Sequence, residues 1–138
     1  SYNTIIMKKE FCTYNQALAL KELGFDEPCF GYYIETGEWI PASYSQKGTI
    51  YPSNSDLMKE WVSALLYQQA FRWFREKHDL PSHIAIYWQH DWNNYSYEWN
   101  IVKNHKQWNV IEHFKTYEEA ESACLDELIK LLKEKTKL

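Results

Sequence analysis

Ser63-Ala64-Leu65-Leu66-Tyr67-Gln68-Gln69-Ala70-Phe71-Arg72-Trp73-Phe74-Arg75-Glu76-Lys77-His78 combines helical periodicity with large aromatics and contains neither Gly nor Pro. Leu66, Ala70, Trp73 and Lys77 recur at helical spacing, and Tyr67, Phe71 and Phe74 form a neighbouring stripe, so one wide face is apolar. The reading is a central helix over 63–78, with the Ser63 hydroxyl capping its first turn. Arg72 and Arg75 lie three apart and share a face of that helix.

Other elements follow on either side. Thr13 and Gln16 make a capping box, and Ala17, Leu20 and Leu23 carry a helix over 13–23 that Gly24 stops. Residues 29–40 read as a short hairpin, with Glu35-Thr36-Gly37-Glu38 as its turn. From 41 to 58 no period survives, and the Tyr, Ser and Asn content suits a loop that binds something. After Pro81, Ile84, Ile86 and Trp88 alternate on one strand, and Tyr95, Tyr97, Trp99 and Ile101 on the next. Trp108 and Val110 continue a third, giving an antiparallel meander over 83–112 with one wetter face. Thr116 with Glu119 opens an amphipathic helix over 116–135, with Glu118, Glu119 and Glu121 near its start and lysines near its end, as the helix dipole favours. The fold expected is a single α+β domain of order α-β-β-α-β-β-β-α, with an antiparallel sheet packed by three helices.

At 138 residues the chain is long enough to bury a core, and 7 Trp, 11 Tyr and 6 Phe give it material for one. A net charge of −4 opposes a protein held on duplex nucleic acid by phosphate neutralisation. The helix–meander–helix order matches double-stranded-RNA-binding domains in outline. Those need basic residues where this chain has Glu118, Glu119 and Glu121, so RNA binding is rejected. Cys12, Cys29 and Cys124, at unrelated spacings, read as reduced core thiols, and no apolar run is long enough to span a bilayer. A cytoplasmic protein without membrane attachment is expected.

Three blocks carry a resemblance. They are Thr13-Tyr14 with the run Gln16 to Tyr32, the run Gln68 to Lys77, and Thr116-Tyr117-Glu118-Glu119-Ala120-Glu121 with Ala123-Cys124-Leu125. Together, over roughly a third of the chain, they resemble a group of small phage- and prophage-encoded proteins of gut bacteria. Leu65 departs from the pattern, which has Pro there. The resemblance implies a phage accessory protein of the bacterial cytoplasm and brings no catalytic residues with it. Its context suggests counteraction of host defence, by sequestering a nucleotide signal or by binding a defence protein.

The chemistry-bearing residues point away from catalysis. His78, His83 and His90 crowd one region beside Asp91, but without the spacing or Cys partners of a zinc site, so no metal is expected. Cys12 precedes a helix start, yet no companion motif supplies a base. No phosphate-binding Gly loop or nucleophile elbow is present, and neither enzyme nor cofactor is expected. Two binding readings remain. In the first, Arg72 and Arg75 hold an anionic, nucleotide-like small molecule, helped by Tyr67 and by Tyr44 and Tyr51 of the loop. In the second, Trp39, Trp92, Tyr44 and Tyr51 present aromatic surface to a host protein. The oligomeric state is left open.

Overall fold

Thr13 caps the first helix as its spacing implies. In the computed structural model, which describes residues 7–45, 48–88, 93–108 and 112–136 (44–45 and 48–49 by main chain alone), the Thr13 hydroxyl accepts the Gln16 N–H at 3.1 Å. The Gln16 side chain in turn accepts the Thr13 N–H at 3.0 Å. Helix α1 (Tyr14–Glu22) ends where Gly24 takes φ +100°. There the Gly24 N–H donates to Lys21 O and the Phe25 N–H to Leu20 O, a paired C-terminal closure that brings Phe25 onto Leu20 with both side chains buried.

The chain has the expected α+β fold with antiparallel pairing, and it gathers into two compact units, Ser1–Gln69 and Ala70–Leu138. In the first, β1 (Gly31–Tyr33) pairs on one side with β2 (Trp39–Pro41) and on the other with β5 (Val62–Ala64), so the sheet order is β2-β1-β5. Between them lie a two-stranded ladder, β3 (Tyr44–Ser45) with β4 (Gly48–Thr49), and a 3-10 turn over Asn54–Asp56. The stretch 41–58 thus carries regular structure where the sequence shows only a loop; its elements are too short for a period to register.

Strand β5 also corrects the reading of Ser63. The helix α2 begins at Tyr67 and runs to His78, and Ser63 lies on a strand, fully buried. Its N–H donates to Asn54 Oδ1 at 2.8 Å and its hydroxyl to Pro52 O at 3.3 Å, and with the helix starting four residues on, Ser63 is not at the cap position. Asn54 donates in turn to Phe25 O at 2.8 Å. One buried amide therefore ties the 3-10 turn to the end of α1 and to the outer side of the sheet.

In the second unit, β6 (Ser82–Trp88), β7 (Tyr95–Lys103) and β8 (Lys106–Trp108) form the meander. The register sets Ile84 against Trp99, Ile86 against Tyr97 and Trp88 against Tyr95, the same-face pairing that alternation implies. Asn104 and His105, at φ 53° and 63°, make the two-residue turn into β8. Val110 and the residues 89–92 lie outside those described. Helix α3 (Tyr117–Thr136) packs on β6 and β7, burying Trp99 and Ile101 with Leu125, Leu128 and Leu132. Thr116 caps it by accepting the Glu119 N–H at 3.1 Å. Glu121 is buried, so it is a packed residue and not simply a charge for the helix dipole. On α2, Ala70, Phe71, Trp73 and Phe74 are buried and Arg72 and Arg75 exposed, the split that the periodicity implies.

The opposite face of the meander is a polar ladder. Asn100, buried, accepts from Gln107 and lies 3.4 Å from His83 Nε2. Farther along, His113 stacks on Tyr87 at 4.0 Å and meets Glu98 at 3.5 Å.

Candidate functional site: an apolar groove on the N-terminal unit

The groove begins with Gly31. A β-carbon there would stand 2.6 Å from Ile40 O and 2.8 Å from Trp39 Nε1, so only glycine lets the Trp39 indole lie this close over β1. The indole N–H is buried, with no acceptor among the described residues. Phe11 tilts against Trp39 with ring centroids 5.3 Å apart. Its backbone is fixed by a bridge to Leu66, with the Cys12 N–H donating to Leu65 O and the Tyr67 N–H to Glu10 O. On the other side, Phe30 and Tyr51 meet edge to face at 5.7 Å. Three main-chain bonds hold that wall: Ala42 N–H to Phe30 O, Cys29 N–H to Pro52 O and Ile50 N–H to Ser43 O.

Between these walls lies a groove of about 390 Å³ whose lining includes Met7, Phe11, Phe30, Trp39, Tyr51 and Leu66. Among the described lining residues Glu10 is the one ionisable carboxyl or amine. Met7 and Phe30 are each 54% exposed and Tyr51 48%, with Ile50 beside it at 54%. An apolar cluster left in water to this extent costs solvation free energy that a covering surface would recover.

A second cleft, of about 280 Å³, lies in the C-terminal unit where α2 ends, β7 turns and α3 ends. Its lining sets Lys103 and Lys135 against Asp79 and Glu134, beside His78. Burial, and next the Lys135 charge, hold the His78 imidazole below its ordinary pKa. With both signs of charge balanced, this cleft selects no particular ion.

The sequence-derived candidates separate. Trp39 and Tyr51 come together in the groove. The main chain of Tyr44 lies on β3 opposite Thr49, and Trp92 falls outside the described residues. Tyr67 is buried, its hydroxyl donating to Gln16 Oε1 at 3.1 Å. Arg72 and Arg75 are exposed on α2, and neither lines the groove or the cleft. Sequence reasoning did not place Phe11, Phe30, Met7 or Leu66 in a site, Leu66 being read as part of the apolar helix face. One signal was available: in Cys29–Tyr33, period two buries Cys29, Gly31 and Tyr33 and turns Phe30 outward.

The thiols are not poised for chemistry. Burial pushes Cys29 and Cys124 up to about 12, so neither is a thiolate at neutral pH, and Cys12 is fully buried. Among the described residues no three His, Cys, Asp or Glu side chains come together to hold a metal ion. Nor is any described helix long and apolar enough to cross a membrane. Compared with known protein families, curated proteins and solved structures, the chain matches none.

Proposed function

We propose that this protein acts by binding, and that the groove of the N-terminal unit receives an apolar segment of a protein partner. The supporting observation is the exposure of Met7, Phe30 and Tyr51 around a lining with a single carboxylate. Among the described lining residues a nucleotide's phosphates would find no cation, Lys8 belonging to a small adjoining recess that shares Met7, Phe11 and Trp39, whereas Leu, Phe or Trp side chains would cover the exposed rings and exclude water. The resemblance to phage-encoded proteins suggests that the partner belongs to the bacterial host and that its capture serves counter-defence. Sequestration of a small anion by Arg72 and Arg75 is the less supported reading, because those side chains line neither cavity.

Selection from a random linear peptide library against the intact protein tests the proposal. Enriched peptides should be rich in aromatic and aliphatic residues, and replacing Phe30 and Tyr51 by Ser should weaken their binding at least tenfold without unfolding the protein. Peptides that bind the doubly substituted protein as tightly as the original would reject the groove. So would an empty selection accompanied by binding of a nucleotide that depends on Arg72 and Arg75.

A further inference from the structure

Strand β6 is an edge of the C-terminal sheet, whose order is β6-β7-β8. The Val102 N–H donates to Pro81 O at 2.9 Å, which marks Pro81 and Val102 as a hydrogen-bonded pair. By the antiparallel alternation, His83, Ala85 and Tyr87 then direct their main-chain groups to β7, and Ser82, Ile84 and Ile86 direct theirs outward. Among the described residues no main-chain hydrogen bond reaches those outward groups. The strand runs seven residues, Ser82–Trp88, without Pro, Gly or Lys. Natural edges of that length are ordinarily blunted by Pro, by a charged side chain, by a bulge or by a covering element. Beside this edge, Ile86 is 49% exposed and Tyr95, on the same face, 48%.

We infer that β6 pairs antiparallel with β6 of a second copy of this chain, joining two meanders into one continuous sheet across a two-fold axis. The strand's own sequence argues for a second copy over an unrelated strand. With Ala85 on the axis, Ile84 of each copy stands opposite Ile86 of the other, and each pair exchanges main-chain hydrogen bonds through the groups now directed outward. All four isoleucines then lie on the helix-bearing face, and the exposed Ile86 gains an apolar neighbour. The smallest side chain on the strand sits where the two backbones are symmetric. Its side chains include no Asp, Glu, Lys or Arg, so like charges do not oppose each other in this register, and His83 meets Tyr87 of the second copy. Moving the axis one residue toward Ser82 sets Ile86 against Ser82, whereas moving it one residue toward Trp88 sets Ile86 against Ile86 and Ile84 against Trp88, a second apolar register of the same pairing.

Sedimentation equilibrium of the full chain over a wide concentration range tests this, together with amide hydrogen exchange. The expected result is a monomer–dimer equilibrium in which the Ser82, Ile84 and Ile86 amides exchange more slowly as dimer forms. Ile86→Pro removes an outward N–H without touching the β6–β7 ladder and should give a monomer with an unchanged circular dichroism spectrum. Ile86→Lys, at a half-exposed position that tolerates a long side chain, should do the same if the proline variant folds poorly. A protein that stays monomeric at its highest soluble concentration overturns the inference. So does a dimer that survives the lysine substitution, or outward amides whose exchange is independent of concentration.

Discussion

In the N-terminal sheet the outward N–H of β5 at Ser63 is taken by Asn54, and the outer strand β2 ends in Pro41, which has no N–H to offer. In the C-terminal sheet β6 is more than twice as long and carries neither device. The shorter sheet, with strands of three residues, gains little from cross-strand side-chain pairs and depends on single polar side chains reaching in from loops. The longer sheet is held by rows of paired apolar side chains and by helix packing. Closed at Ser63 and Pro41, the N-terminal sheet offers fewer main-chain groups for pairing than the longer edge strand β6 does.

If the C-terminal unit rests on apolar packing, its largest single loss comes from the core. Trp73 is buried, edge to face with Phe74 at 5.1 Å and with His78 at 4.5 Å. Trp73→Ala should cost about 3–5 kcal/mol in denaturant unfolding, through lost burial and the cavity left behind. A loss under about 1 kcal/mol would mean that the helix is not held by this ring.

If the N-terminal unit instead rests on polar closure, removing one amide should suffice to open it. Asn54→Ala removes the acceptor of the buried Ser63 N–H and one donor to Phe25 O, a cost of about 2–4 kcal/mol. Hydrogen exchange locates the effect: the Ser63 amide should lose its protection while the β6–β7 amides keep theirs. Equal loss in both sheets would undo the contrast drawn between them.

The two units also differ in what the sequence discloses. The meander was legible because its strands are long enough to show period two on both sides of a turn. Both capped helices were legible because Thr13-x-x-Gln16 and Thr116-x-x-Glu119 carry their chemistry in four residues. Strand β5 was hidden because Ser63, beside a helical pattern, looks like a cap, and a cap and a strand edge ask the same thing of a serine: a local hydrogen bond to main chain. The groove was half legible. Trp39 and Tyr51 stood out as aromatics near loops, but Phe11 stands just before the Thr13 capping box, where a hydrophobic residue has a local reason to sit. What brings it to Trp39 is the bridge between Phe11 and Leu66, a pairing far apart in sequence that no local pattern encodes.

Acid should separate the units by titration. His78 is held below its ordinary value of 6.5 by burial and by Lys135, so the unfolded chain takes the proton first. Stability should therefore fall as pH drops below about 6.5, levelling off once the folded imidazole is also protonated. Asp26 is held below 3.8, chiefly by the Ser55 N–H bonded to its carboxylate at 2.8 Å. Its contribution is present above 3.8 and is lost as pH falls further. Melting temperatures from pH 7.5 to 5 should drop less for His78→Gln than for the original chain. An identical slope would remove His78 from the account.

The smallest effect on stability, and the sharpest on function, belongs to the arginines. Both are exposed on α2, where an ion pair contributes about 0–1 kcal/mol, so changing both to Ala should lower stability by no more than about 1 kcal/mol. Under the groove reading, the library-selected peptides should bind this variant as they bind the original, because neither arginine is part of the lining. Isothermal titration of the peptide and of a nucleotide panel into both proteins decides the matter. A folded variant that keeps the peptide leaves the site on Phe30 and Tyr51. A folded variant that loses it assigns binding to α2, and the exposed rings of the groove would then need another explanation.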